Sequence, residues 1–134
     1  MIQGYFLSLI YLVLSSLIYF QSKYRLELAF MLRFTDALER DRRYLYSFSG
    51  LGLLTFLILL FFPVSPGPMI LGDLIPALVV LYNTLYFFIM IKRKEKSERA
   101  EYLDRKRNDR RTALGWISVT VALLHFLFPS FVLI

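Results

Sequence analysis

The chain has 134 residues, a formal net charge of +6 and no cysteine, and 57% of it is apolar. That length suits one domain, 1–134, and the missing thiols exclude disulfides, thiolate catalysis and Cys-ligated metals. The charges are gathered rather than scattered, which is not the pattern of a soluble domain, where every element needs a polar outer face.

Four stretches, about 2–20, 48–64, 69–91 and 112–134, have almost no charge, and each is about as long as the ~20 helical residues a bilayer core requires. Backbone groups in lipid must be satisfied within the segment, so the expected form is helix, and the alternation of a membrane barrel strand is missing. The fold class this predicts is all-α: an integral membrane four-helix bundle with both termini outside and two charged cytoplasmic segments, 21–47 and 92–111.

The first run has no Lys or Arg ahead of it and no small-residue cleavage site behind it, so it reads as an uncleaved helix rather than a signal peptide. Gly4, Ser8 and Ser15 fall in one narrow arc, a seam suited to close helix packing. A catalytic serine would need an activating base, and none stands nearby.

Residues 21–46 mix Lys23, Arg25, Arg33, Arg40, Arg42 and Arg43 with Glu27, Asp36, Glu39 and Asp41 around LELAFMLRF (26–34). Leu26, Phe30, Phe34 and Ala37 share one helical face, with Arg33, Asp36, Arg40 and Arg43 on another. This predicts an amphipathic helix that continues from the first span or lies in the headgroup layer. It serves either as a connector packed on its own bundle or as a docking surface.

The second run carries Ser49, Gly52 and Thr55 in its charged-side half and ends in FPVSPGP (62–68), a turn that no helix can continue through. The third opens with Asp73 as a cap and Pro76 in the first turn. Beyond Lys92, the i,i+4 pairs Glu95/Arg99 and Glu101/Arg105 predict that this helix runs on for several turns. Asn108 and Asp109 are the expected break and cap before the fourth helix.

All 16 Lys and Arg fall in two segments, six between 23 and 43 and ten between 92 and 111. The positive-inside rule then puts both segments in the cytoplasm, the 63–68 turn outside, and the chain in what we take as a bacterial inner membrane.

Polar residues inside spans are the informative ones. Asp73, Pro76, Asn83 and Phe87 share a face of the third run; Gly115, Ser118, Ala122, His125 and Pro129 share a face of the fourth. The two seams are expected to meet. His125, the single histidine, reads as lying near mid-membrane. Its carbonyl is released because Pro129 has no N–H to donate. Two roles fit it: a proton or ion relay with Asp73, or a neutral histidine tied to Asn83, Ser118 or a tyrosine. Metal sites need converging ligands, which one histidine does not supply, and no cofactor is expected. GLG (50–52) lacks the rest of a phosphate loop. The acids Glu95, Glu98, Glu101 and Asp104 sit among basic residues as a solvated helix would. Enzymatic activity is not expected.

The basic residues Arg33, Arg40, Arg42, Arg43, Lys92, Arg93, Lys94, Arg105, Lys106, Arg107, Arg110 and Arg111 are candidates for anionic lipid of the cytoplasmic leaflet, or for an acidic face on another membrane or cytoplasmic protein. A homo-oligomer is the other partner reading. The interleaved acids disfavour nucleic acid. The expectation is a small non-catalytic subunit of a larger membrane assembly, with a small oligomeric transporter using His125 and Asp73 second and a holin-like membrane-disrupting protein third.

Overall fold

The computed structural model describes residues 2–24, 29–62, 74–93 and 101–127. Those residues form five helices: α1 (Ile2–Tyr24), α2 (Ala29–Arg40), α3 (Arg42–Phe61), α4 (Leu74–Arg93) and α5 (Glu101–Leu127). Among the described residues, α1, α3 and α4 each contain a segment long and apolar enough to cross a membrane: Gln3–Gln21, Arg42–Phe61 and Leu74–Ile91. The fourth apolar run continues past Leu127, outside the described residues, as do the 63–68 turn, Asp73, Lys94 and Pro129.

Three sequence expectations change. The second long helix starts at Arg42 rather than 48, because Asp41 caps it. Asp41 adopts an extended backbone (φ −121°, ψ 118°) and its carboxylate accepts from the Arg43 amide at 2.9 Å, which satisfies a free donor of the first turn. The Asp41 amide still donates to Ala37 O at 3.1 Å, so one residue both ends α2 and starts α3.

The buried face of α2 is also rotated from the one expected. Met31, Thr35 and Leu38 are buried, whereas Phe30 is 67% exposed and stacks on Phe34. Met31 and Leu38 are apolar at helical spacing with Thr35 between them, and the Thr35 hydroxyl is satisfied by Met31 O at 2.8 Å, so the buried face is not the most apolar one. Phe34 joins the two faces, meeting Phe48 of α3 edge-on at 6.0 Å. So α2 is packed against α1 and α3.

Finally, α5 runs unbroken through Asn108 and Asp109. Each costs only some tenths of a kcal/mol in a helix interior, up to about 0.7, and the strong helix formers around them outweigh that.

The long helices pack as two antiparallel pairs. Tyr5 meets His125 and Phe20 meets Trp116, which aligns α1 against α5. Tyr46 meets Phe88 and Phe48 meets Phe87, which aligns α3 against α4. These two pairs are the closest packed, and α1 also touches α3 and α4. The core between them is aromatic: Tyr11 stacks on Phe48 at 4.9 Å and Tyr19 on Phe87 at 5.3 Å. Such pairs add about 0.5–1.5 kcal/mol each beyond their buried area.

Glycines set how closely the backbones approach. A Cβ on Gly4 would sit 2.7 Å from Ile58 Cγ2, and one on Gly115 2.8 Å from Phe20 Cε1. A Cβ on Gly52 would overlap both Tyr11 Oη and Thr84 Oγ1, while one on Gly50 meets nothing within 4 Å.

The outward faces are apolar. Phe6, Ile10, Leu54, Leu57, Leu78, Leu85, Ile117 and Leu124 are exposed, while Ser8, Ser15, Ser16, Thr55, Asn83, Thr84, Ser118 and His125 are buried. This inverts the arrangement of a water-soluble bundle.

The two α3 glycines give a paired test. Gly52→Ala should lower thermal stability in detergent, by about 1–3 kcal/mol for an overpacked core. Gly50→Ala should leave it unchanged or raise it by up to about 1 kcal/mol, the helix-propensity gain. Circular dichroism melts of both variants check this.

Candidate functional site

Three polar layers run along one face of α5, seven residues apart, at Arg111, Ser118 and His125. Seven residues are about 10 Å of helix, so each layer meets a different level of the neighbouring helices.

The central layer is the most buried. Asn83 of α4, at 0% exposure, donates from Nδ2 to Ser118 Oγ at 2.9 Å. Its Oδ1 accepts from Tyr19 Oη at 3.1 Å. One side chain thus ties α4 to both α1 and α5, as the meeting of the two seams required. On the next residue of α4, Tyr11 Oη and Thr84 Oγ1 share a hydrogen bond of 3.1 Å directly over Gly52. Thr84 Oγ1 also donates to Val80 O at 2.8 Å. In a low-dielectric interior, networks of this kind stabilise only when their members are matched.

The upper layer holds His125, and here the sequence reading is corrected. Tyr5 Oη donates to His125 O at 2.8 Å, and the Tyr5 and His125 rings lie 4.7 Å apart. Tyr5 is two residues into the Gln3–Gln21 span, so His125 sits toward the uncharged end rather than at mid-height. Asn83 lies a full layer away and is bonded to Ser118 instead. Asp73, the other member of the suggested relay, lies outside the described residues.

The lower layer is at the charged end. Arg111 Nε donates to Tyr86 Oη at 3.1 Å and Nη2 approaches Met90 Sδ at 3.0 Å. Arg111 is therefore folded onto α4 and half-buried, not extended into solvent with the other basic residues. Arg33, Arg40, Arg42, Arg43 and Arg110 are exposed at this same end. The side chains of Lys92, Arg93, Arg105, Lys106 and Arg107 lie outside the described residues, as does Lys94 altogether. Among the described residues, no group of three or more His, Cys, Asp or Glu could hold a metal ion.

Sequence reasoning found Asn83, Ser118 and His125 but missed Tyr5 and Tyr19, which bond His125 and Asn83, the Tyr11–Thr84 pair, and Tyr86 and Met90, which hold Arg111. A signal was present for two of them: Tyr11 and Tyr19 stand eight apart, on the same face as Ser8 and Ser15. A tyrosine inside a span reads as ordinary apolar bulk until its hydroxyl has a partner.

A protein-family model matches residues 1–125. No curated protein and no solved structure matches the chain.

Asn83→Ala and Ser118→Ala should be energetically coupled. A double-mutant cycle in detergent is expected to return an interaction of about 0.6–2 kcal/mol, the range for side-chain bonds between membrane helices. Additive effects would mean that the bond contributes nothing.

Proposed function

The chain belongs to the family matched over residues 1–125, and we propose that it is a four-helix integral membrane protein, N-out and C-out, acting as a non-catalytic subunit. The observation that carries this is the inverted burial: apolar side chains face outward along the long helices, and serine, threonine, asparagine and histidine face inward. Lipid gives no hydrophobic drive for helices to associate, so the bundle must be held by close backbone contact and polar ties. Gly4, Gly52 and Gly115 supply the first, and the Asn83, Thr84 and Arg111 bonds supply the second.

The same bonds favour a scaffold over a conduit. Asn83 engages Tyr19 and Ser118, and Tyr11 engages Thr84, which leaves these groups joining helices rather than lining a path. The surface offered to a partner is the charged end, where Arg33, Arg40, Arg43 and Arg110 are exposed beside Tyr24, Tyr44 and Tyr46. Amphipathic aromatic rings at such a boundary suit the headgroup level. Anionic lipid and an acidic face of a larger membrane or cytoplasmic protein are the partners this surface fits.

Two measurements test the proposal. With no native cysteine, Ser65→Cys and Ser97→Cys each introduce a single thiol. A membrane-impermeant maleimide should label Ser65→Cys on intact cells and Ser97→Cys only after permeabilisation; the reverse pattern rejects the topology. Purification from native membrane in mild detergent should bring down a larger membrane protein in stoichiometric amount, lost with Arg40→Glu plus Arg43→Glu and kept with His125→Leu. A defined homo-oligomer running alone would reject the subunit role.

A further inference from the structure

Arg111 differs from every other described cation in being half-buried between two helices, with both of its described partners neutral. Tyr86 and Met90 use Nε and one Nη2 hydrogen. A guanidinium has five donors in a rigid fork, so among the described residues the Nη1 pair and the second Nη2 hydrogen are left over. The charge itself meets neither a carboxylate nor a sulfate-like group in those two contacts.

Its place in the fold narrows what could meet it. Arg111 stands at the boundary between the exposed basic residues and the apolar outer faces, with Arg110 exposed beside it. The alignment of Phe20 with Trp116 brings Lys23, at the end of α1, to the level of Thr112. Toward the apolar side, Leu114 is half-buried and Ile89 and Ile117 are exposed. α4 and α5 also pack less closely than the α1/α5 and α3/α4 pairs. The result is a fixed cation at the edge of the apolar surface, beside the less closely packed α4/α5 pair.

We propose that Arg111, held in place by Tyr86 and Met90, binds the phosphate of one anionic phospholipid whose acyl chain lies against the apolar side chains of α4 and α5 beside it, Ile89, Leu114 and Ile117. This rests on the membrane reading above and makes it specific: one built site rather than a diffuse basic surface. Guanidinium and phosphate match in geometry and charge, and the Tyr86 bond means that the fork is already oriented before the lipid arrives. Arg110 and Lys23 add attraction without a defined geometry.

The test uses the full-length protein in mild detergent, titrated with phosphatidylglycerol or phosphatidylcholine and read by native mass spectrometry. The wild-type protein should retain one phosphatidylglycerol in preference to phosphatidylcholine. Arg111→Gln should lower that retention about tenfold, the loss of one charge-assisted contact. Tyr86→Phe, which keeps the charge and frees the fork, should lower it partway. It also carries the test if Arg111→Gln does not fold. Arg33→Gln, an exposed cation on α2, should leave retention unchanged.

Equal losses in Arg33→Gln and Arg111→Gln would overturn the site in favour of diffuse charge. Unchanged retention in both Arg111→Gln and Tyr86→Phe would overturn it too, as would displacement of the lipid by millimolar inorganic phosphate. Recovery of the wild-type chain from the soluble fraction would reject the membrane reading itself, a different outcome from insertion without selective lipid.

Discussion

The organisation of this protein depends on matching polar groups inside an interior that apolar packing alone would not specify. Asn83 is the clearest case. Its amide is fully buried yet bonded on both sides, to Tyr19 and to Ser118. Removing either partner would leave a buried donor or acceptor unmet, at about 1–3 kcal/mol. Two partners on two helices also fix the rotation of α4 about its own axis, and with it the outward placement of Leu78 and Leu85. The Tyr11–Thr84 bond adds a second constraint on the same rotation, and it forms only because Gly52 leaves room.

Every side-chain-to-side-chain bond between helices described above lands on α4, from α1 or from α5. The α1/α5 and α3/α4 pairs are instead joined by ring contacts and glycine approach. A polar seam between these two pairs gives the bundle register as well as stability, since sliding one pair past the other by a turn would break the Asn83, Thr84 and Arg111 bonds together. The outer faces are left free of polar demands, as contact with lipid on our proposed reading requires.

Much of this was legible in the sequence where chemistry is scarce. A single asparagine, a single histidine and a few glycines in long apolar runs stand out, and Asn83, Ser118 and Gly4 lie in the seams their spacing implied, at close helix contacts. The reading failed where local pattern did not decide. In α2, Phe30 begins the more apolar stripe, yet Met31, Thr35 and Leu38 are the buried one, a choice set by the packing on α1 and α3. Asn108 and Asp109 carried break signals too weak to end a helix of 27 residues. Arg111 was grouped with its solvated neighbours because nothing local distinguishes a cation that folds back onto Tyr86; only its heptad spacing to Ser118 and His125 marked it.

The central claim, that the outward apolar faces contact lipid, can be tested on the unmodified protein. It has one tryptophan, Trp116, which is 56% exposed on the outer face of α5. In reconstituted bilayers, lipids brominated at shallow acyl positions should strongly quench its fluorescence, and aqueous iodide should quench it weakly. Strong quenching by iodide with little effect of brominated lipid would place that face in water and contradict the account.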